Sequence, residues 1–133
     1  MTPRILIVDD HEDFRKAVKE YLKSKLEAEL FEASTGEMAV TKAACIKPHI
    51  VLMDVSLPGE NGFRASQQIK QDNPDCDVII LTMFEIESLK EVAQQMHAKD
   101  FVGKSEIYDR LIPIIQRCLS ERNGKKTKER QKI

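Results

Sequence analysis

Residues 5–10 read Ile-Leu-Ile-Val-Asp-Asp, four apolar residues followed directly by two carboxylates. A similar pattern returns at residues 50–54 as Ile-Val-Leu-Met-Asp and at residues 78–82 as Val-Ile-Ile-Leu-Thr. Strands that are buried on both faces have such continuous apolar runs, as in parallel sheets that are covered by helices. These three stretches therefore predict the central strands of a parallel sheet.

The segments between these runs have the apolar spacing of amphipathic helices, for example at Phe14, Val18 and Leu22. Each segment is long enough for the crossover that parallel strands require. Further elements are predicted as two weaker strands near residues 30–33 and 100–103, and as helices near residues 61–71, 86–97 and 106–120. Right-handed crossovers then give an α/β fold, an open doubly wound sheet of five parallel strands with five flanking helices.

Local signals mark where the predicted helices begin and end. Ser34-Thr35-Gly36-Glu37 is a capping sequence for the second helix, and Lys47-Pro48 is predicted to end that helix. Asn73-Pro74 is predicted to end the third helix.

Size, charge and cysteine content limit the class of protein. The 133 residues suffice for one domain, and 21 basic against 22 acidic residues give a net charge of −1, which favours neither nucleic acid nor anionic lipid. We expect a soluble, cytoplasmic protein, because no apolar run has the length of a membrane span or a signal sequence. Three cysteines without a CxxC pattern predict neither a disulfide framework nor a thiolate metal site.

Polar residues follow the predicted strands at their carboxyl ends, where ligands of doubly wound sheets bind. Asp9 and Asp10 follow the first strand, Asp54 the third, Thr82 the fourth and Lys104 the fifth. Three converging carboxylates repel one another, so we expect a cation among them. Because the candidate ligands are oxygens, Mg²⁺ or Mn²⁺ fits this site better than structural zinc.

The same set of residues predicts phosphoryl transfer. Lys104 supplies a positive charge and Thr82 a hydroxyl donor, the groups that hold the oxygens of a transferring phosphoryl group. Mg²⁺ usually takes one or two carboxylates, which leaves a carboxylate free to react, and Asp54 is predicted to be the nucleophile that forms an acyl phosphate.

The order and spacing of these residues resemble the receiver domain of two-component response regulators. The resemblance runs from residue 4 to about residue 119 and rests on four signatures. They are Ile-Leu-Ile-Val-Asp-Asp (5–10), Val-Leu-Met-Asp-Val-Ser-Leu-Pro-Gly-Glu-Asn-Gly (51–62), Ile-Ile-Leu-Thr (79–82) and Asp-Phe-Val-Gly-Lys (100–104). The resemblance implies a flavodoxin-like sheet with the strand order 2-1-3-4-5.

The resemblance also implies roles for individual residues. Asp54 would accept a phosphoryl group from a histidine kinase or a histidine phosphotransfer protein. Asp10, Asp54 and the backbone carbonyl of Ser56 would bind the metal ion, with Asp9 acting mainly through a metal-bound water. Such a domain assists its own phosphorylation and dephosphorylation but is not an enzyme in the ordinary sense.

In this family phosphorylation is coupled to a change of shape. The Thr82 hydroxyl would move towards the phosphoryl group and Phe101 would swing from exposed to buried. The face formed by the fourth predicted helix, the fifth strand and the fifth helix would then change shape and control an output. A phosphorylation-dependent homodimer is one candidate for that output. One departure from the family pattern is Ser105, which stands where proline, often after a cis peptide bond, commonly follows the lysine.

Residues 1–120 are predicted to form the receiver domain. Residues 121–133 contain six basic and two acidic residues, which predicts a basic flexible tail or the start of a linker to an output domain. We expect no direct binding of nucleic acid by this chain, because the tail has no aromatic residues for base stacking.

Two other functions remain open on the sequence alone. One is an aspartyl-phosphate phosphohydrolase, although Ser56 stands where that chemistry requires a second acid. The other is a pseudo-receiver that serves as a docking module without phosphorylation. For His11, which follows the acidic pair, a solvated residue in the first turn of a helix is the favoured interpretation.

Overall fold

A computed structural model describes residues 2–55, 61–83 and 98–131. The strands are β1 (Arg4–Val8), β2 (Glu29–Ala33), β3 (Ile50–Asp54), β4 (Asp77–Thr82) and β5 (Asp100–Gly103). They form one sheet in the order β2-β1-β3-β4-β5, and every pair of neighbours is parallel. The predicted flavodoxin-like sheet and its strand order are therefore confirmed.

The apolar runs are buried, as their composition predicts. Every residue of β3 is buried, and in β1 and β4 the first residue alone is partly exposed. Side chains on one face of the sheet pack with Val18, Leu22 and Leu111, and those on the other face pack with Ala39 and Ile69. The sheet thus has a helical layer on each side, which is why its central strands need no polar face.

Among the described residues, three helices lie between the strands: α1 (Glu12–Lys25), α2 (Gly36–Ile46) and α3 (Asn61–Asp72). The predicted cap of α2 is confirmed, because the backbone N–H of Met38 donates to Thr35 Oγ1 at 3.1 Å. α2 ends before Lys47, which has a left-handed backbone conformation with φ of 49°. α3 ends before Asn73, as predicted. The helix predicted near residues 86–97 lies outside the described residues.

The C-terminal helix (Ile107–Gln131) follows a short 3₁₀ helix (Lys104–Glu106) and extends beyond its predicted end near residue 120. Lysine, arginine, glutamate and glutamine are good helix formers, so the basic composition of residues 121–131 does not itself end the helix. Lys99 Nζ lies 2.7 Å from Glu121 Oε2, and Arg122 pairs with Asp77 at 3.9 Å. Contacts with the sheet layer therefore continue as far as Arg122, while the domain boundary at residue 120 stays a prediction.

The cysteines do not cross-link the fold. All three cysteines are free; Cys76 and Cys118 are buried, and burial raises the pKa of the Cys76 thiol to about 12. Such thiols are unreactive packing groups. Within the described part of the chain, no helix is both long enough and apolar enough to cross a membrane.

Candidate functional site

The register of the sheet aligns the carboxyl ends of its strands. Val8 pairs with Met53, Asp54 with Leu81, and Thr82 with Gly103. The residues that follow or end these strands consequently reach the same edge of the sheet. This is the edge at which the sequence predicts the site.

The acidic residues come together at that edge. Side-chain ligand atoms of Asp9, Asp10, His11 and Asp54 all lie within 4.8 Å of one another. Asp9 and Asp54 are fully buried, whereas Asp10 is exposed. Carboxylates at this separation repel one another unless cations lie among them.

Lys104 supplies one such cation. Its Nζ atom donates to Asp9 Oδ2 at 2.8 Å and to Asp54 Oδ2 at 3.2 Å, across strands that are far apart in sequence. The lysine side chain is only 9% exposed, so these pairs are largely shielded from water. No peptide bond among the described residues is cis, and the Lys104–Ser105 bond is accordingly trans.

The pairing shifts the proton affinities of both partners. Burial by itself raises the pKa of Asp9, but hydrogen bonds from Lys104 and from the His11 backbone outweigh burial and hold the pKa below its usual value. Burial likewise lowers the pKa of Lys104, but the hydrogen bond with Asp9 and the charge of Asp54 raise it above its usual value. Both groups are therefore ionised at neutral pH, and three aspartates share the cluster with this one lysine.

Two residues approach this cluster that the sequence did not assign to it. His11 Nδ1 lies 2.9 Å from Asp10 Oδ1 and 3.2 Å from Asp9 Oδ1, and the ring is 70% exposed. Lys104 Nζ lies 4.2 Å from the centre of the Phe14 ring. For His11 its position next to the acidic pair was a signal; for Phe14, on the first turn of α1, the sequence contained none.

The other predicted residues have different surroundings. Thr82 ends β4 and is 1% exposed, directly after the residue that pairs with Asp54. Phe101 is partly buried and packs with Ile80 in a small apolar cluster that also contains Val55, Phe63 and Ala98. Ser56, whose backbone carbonyl is a predicted metal ligand, lies outside the described residues.

The start of α3 packs closely against the backbone of Asp54. A Cβ atom added at Gly62 would lie 3.0 Å from the Asp54 carbonyl oxygen, closer than side chains normally approach. Glycine at this position thus permits the close contact between α3 and the end of β3.

The composition of the site determines which ligands it suits. Oxygen donors predominate, and their negative charge exceeds the positive charge of Lys104, so a hard divalent cation fits among them. A cation that takes one or two carboxylates in this way retains coordination positions for phosphate oxygens.

The chain resembles known proteins over most of its length. The family model described as the response regulator receiver domain matches residues 5–116. The response regulator protein VraR of Staphylococcus aureus is 39% identical over 99 residues, which are 74% of this chain and 46% of VraR. The chain thus spans about half the length of the curated relatives it matches.

Solved structures give the same result. A two-component response regulator of the LuxR family from Aurantimonas sp. SI85-9A1 has 29% identity and a TM-score of 0.83, over 91% of this chain and 87% of that one. The response regulator protein TrrA from Thermotoga maritima, solved in complex with Mg²⁺-BeF, has 27% identity and a TM-score of 0.78, over 88% of this chain and 99% of that one.

Proposed function

This chain belongs to the response regulator receiver domain family, whose general function is that of a phosphoryl-accepting switch in two-component signalling, and we propose that Asp54 is its phosphoacceptor. The observation that carries the proposal is the position of Asp54, a fully buried carboxylate at a strand end that accepts a hydrogen bond from Lys104 at 3.2 Å. A buried carboxylate paired with one lysine and close to two further carboxylates is suited to group transfer rather than to packing.

In this proposal Mg²⁺ or Mn²⁺ is the cofactor. Receiver domains bind Mg²⁺ at an acidic pocket, and the cluster of Asp9, Asp10 and Asp54 supplies such a pocket. Asp10 and Asp54 would bind the ion directly with the Ser56 carbonyl, and Asp9 would act mainly through a bound water. The ion, when bound, neutralises charge on the transferring group. The complex of TrrA with Mg²⁺-BeF supports this assignment by analogy.

The proposed transfer step uses three groups of the site, Asp54, Lys104 and Thr82. A carboxylate oxygen of Asp54 attacks the phosphorus of a phosphohistidine, forming an O–P bond as the P–N bond breaks. The electron pair of the broken bond remains on the departing imidazole nitrogen, which takes a proton. Lys104 and the Thr82 hydroxyl hold the oxygens of the transferred group. The domain assists its own phosphorylation and later hydrolysis in this way, which distinguishes a signalling domain from an ordinary enzyme.

The response to phosphorylation is a shift between two populations of conformations. The phosphoryl group favours the state in which the Thr82 hydroxyl has moved towards it and Phe101 is buried, because it binds that state better. Phe101 is half-buried and packs against Ile80, so the proposed change would increase the burial of its ring. The surface that changes would be formed by residues 86–97, β5 and the C-terminal helix.

The partners are proposed from family membership. A sensor histidine kinase or histidine phosphotransfer protein would donate the phosphoryl group, in the cytoplasm, and an output domain beyond residue 133 would respond. The proposal includes a phosphorylation-dependent homodimer, without membrane insertion or direct nucleic-acid binding by this chain. Residues 121–133 would then be a basic linker or tail after a receiver domain of residues 1–120.

Intact mass after incubation with acetyl phosphate tests the proposal. We expect a gain of about 80 Da, the mass of a phosphoryl group, that requires Mg²⁺, is removed by hydroxylamine and is absent from Asp54→Asn. Asp13→Asn, an exposed aspartate of α1, is the matched control and should gain the same mass. An adduct that persists in Asp54→Asn would contradict the assignment of Asp54. The absence of any adduct, from acetyl phosphate and from phosphohistidine donors alike, would favour the docking-module alternative.

A further inference from the structure

The aromatic ring of Phe14 lies against the ammonium group of Lys104. Nζ is 4.2 Å from the ring centre, within the range of a cation–π contact. Phe14 is on the first turn of α1, and Lys104 follows β5, so the contact joins elements that are distant in sequence.

The ring completes the environment of the ammonium group. Asp9 Oδ2 and Asp54 Oδ2 accept hydrogen bonds from Nζ at 2.8 and 3.2 Å. Phe14 provides a third contact, and the lysine side chain is 9% exposed. These three contacts restrict the flexible side chain of Lys104, so few other positions are open to its Nζ atom.

We propose that Phe14 is a positioning residue, which holds the ammonium group of Lys104 at the phosphorylation site through its aromatic face. When Lys104 moves its hydrogen bonds from the carboxylates to an incoming phosphoryl group, the ring remains in contact with Nζ and limits its movement into solvent. This inference rests on the proposed function of Lys104. It goes beyond it by assigning a role to a residue that does not itself touch the phosphoryl group.

The alternative role of Phe14 is packing alone. The ring also packs against the apolar cluster that contains Val18 and Leu22, so removal of the ring would disturb the core as well as Lys104. A test must therefore change the electrostatic character of the ring while preserving its shape. Fluorination does this, because each fluorine weakens the negative potential on the ring face.

The experiment introduces mono-, di- and trifluorophenylalanine at position 14 alone and measures the rate of phosphorylation from acetyl phosphate at saturating Mg²⁺. We expect the logarithm of the rate constant to fall in proportion to the number of fluorine atoms, with a total loss of about three- to thirtyfold, the range that the strength of a cation–π contact allows. Phe14→Tyr should retain the rate, because the ring face is kept.

Phe31 offers a matched control, since it is a partly buried phenylalanine that packs on the opposite face of the sheet. The same fluorinated residues at position 31 should leave the rate unchanged. Denaturant unfolding of each variant reports whether the fold is intact. A proportional loss of rate at position 14, in variants that still unfold in one cooperative transition, would assign the effect to the ring face rather than to packing.

A second measurement does not depend on phosphorylation. In the unphosphorylated protein with isotope-labelled lysine, the side-chain proton resonances of Lys104 should show a ring-current shift that Phe14→Leu removes. Absence of that shift, or a rate that does not change along the fluorine series, would overturn the positioning role alone. If the wild-type protein forms no acyl phosphate while the shift is present, the proposed function fails and the contact stands.

Discussion

Two charge clusters lie near α1, and they have opposite arrangements of charge. In the site cluster a cation, Lys104, lies between Asp9 and Asp54 at 2.8 and 3.2 Å. In the edge cluster a carboxylate, Glu32 on the outermost strand β2, lies between Arg15 and Lys19 at 3.2 and 3.3 Å. The distances in the two clusters are closely similar.

The two clusters differ in how far their side chains are buried. The charged side chains of the site cluster are 0–9% exposed, whereas those of the edge cluster are 13–31% exposed. Water screens charges in the edge cluster, so that such pairs contribute little to stability and need no further ion. In the site cluster a buried charge without a partner raises the free energy of the folded state. The two carboxylates outnumber the one lysine, so the cluster favours binding of a divalent cation, or of a phosphoryl group together with its own cation. Similar distances thus have different consequences, because the two clusters differ in burial.

The two clusters should differ most in how much stability the protein loses when one cation is removed from each. In the absence of divalent cations, Lys104→Met leaves Asp9 and Asp54 buried without their cation and should lower the free energy of unfolding by about 3 kcal/mol. Lys19→Met in the edge cluster is the matched change and should cost less than about 1 kcal/mol. Urea unfolding in the presence of EDTA measures both values. Equal losses in the two variants would contradict the distinction drawn from burial.

The packing behind the site cluster should give the next largest effect. In Gly62→Ala the new methyl group meets the Asp54 carbonyl oxygen at 3.0 Å, so α3 or the end of β3 must shift. We expect a loss of about 1–2 kcal/mol in the free energy of unfolding, and slower phosphorylation of Asp54. Gly103→Ala serves as the control, because the atoms nearest to its new methyl group would be side-chain atoms at 3.9 Å. A stability loss in Gly103→Ala that equals or exceeds that of Gly62→Ala would refute the explanation.

Divalent cations should stabilise the protein through the site cluster together with Asp10, and not through the edge cluster. At Mg²⁺ concentrations of ten times the dissociation constant, linkage predicts a gain of about 1.4 kcal/mol. Asp10→Asn should reduce this gain, and Glu32→Gln should leave it unchanged. Lys104→Met should increase the gain, because the ammonium group and the metal ion compete for the same carboxylates. Thermal unfolding with and without Mg²⁺ tests this, and a full response in Asp10→Asn would remove Asp10 from the set of ligands.

The pH dependence of the edge cluster should be the smallest effect. Burial by itself raises the pKa of Glu32, but hydrogen bonds from Lys19 and Arg15 with their charges hold it below its ordinary value of 4.5. A lowered pKa in the folded state gives stability that is present above pH 4.5 and is lost as the pH falls through the folded value. The difference between wild type and Glu32→Gln should therefore be below about 1 kcal/mol at pH 7 and shrink under acidic conditions. A difference that grows as the pH falls would reverse the predicted sign.

The sequence predicted the fold well because the signals for it are local. Continuous apolar runs marked β1, β3 and β4, and a single capping threonine, Thr35, correctly marked the beginning of α2. The end of the C-terminal helix was predicted too early, because a charged segment without apolar periodicity gives no local signal that distinguishes an extended helix from a tail.

The sequence also predicted which residues collect at the candidate site, because the direction of each strand follows from the order of elements. Residues at the ends of parallel strands meet at one edge of the sheet, so the positions of Asp9, Asp54 and Lys104 after their strands predicted that they would converge. The contact between Lys104 and both carboxylates agrees with that prediction. Their roles in phosphorylation, and that of Ser56, stay predictions that the proposed experiments test.

The sequence by itself thus determined the order of elements, the buried strands and the edge at which charged residues collect, because these follow from hydrophobic periodicity and from strand polarity. Only the tertiary structure decided which charges are buried and which group lies against which. The Phe14 ring over Lys104 and the exposure that separates the Glu32 cluster from the Asp54 cluster depend on how helices pack on the sheet. Such packing joins residues far apart in the chain, and no local pattern encodes their distance.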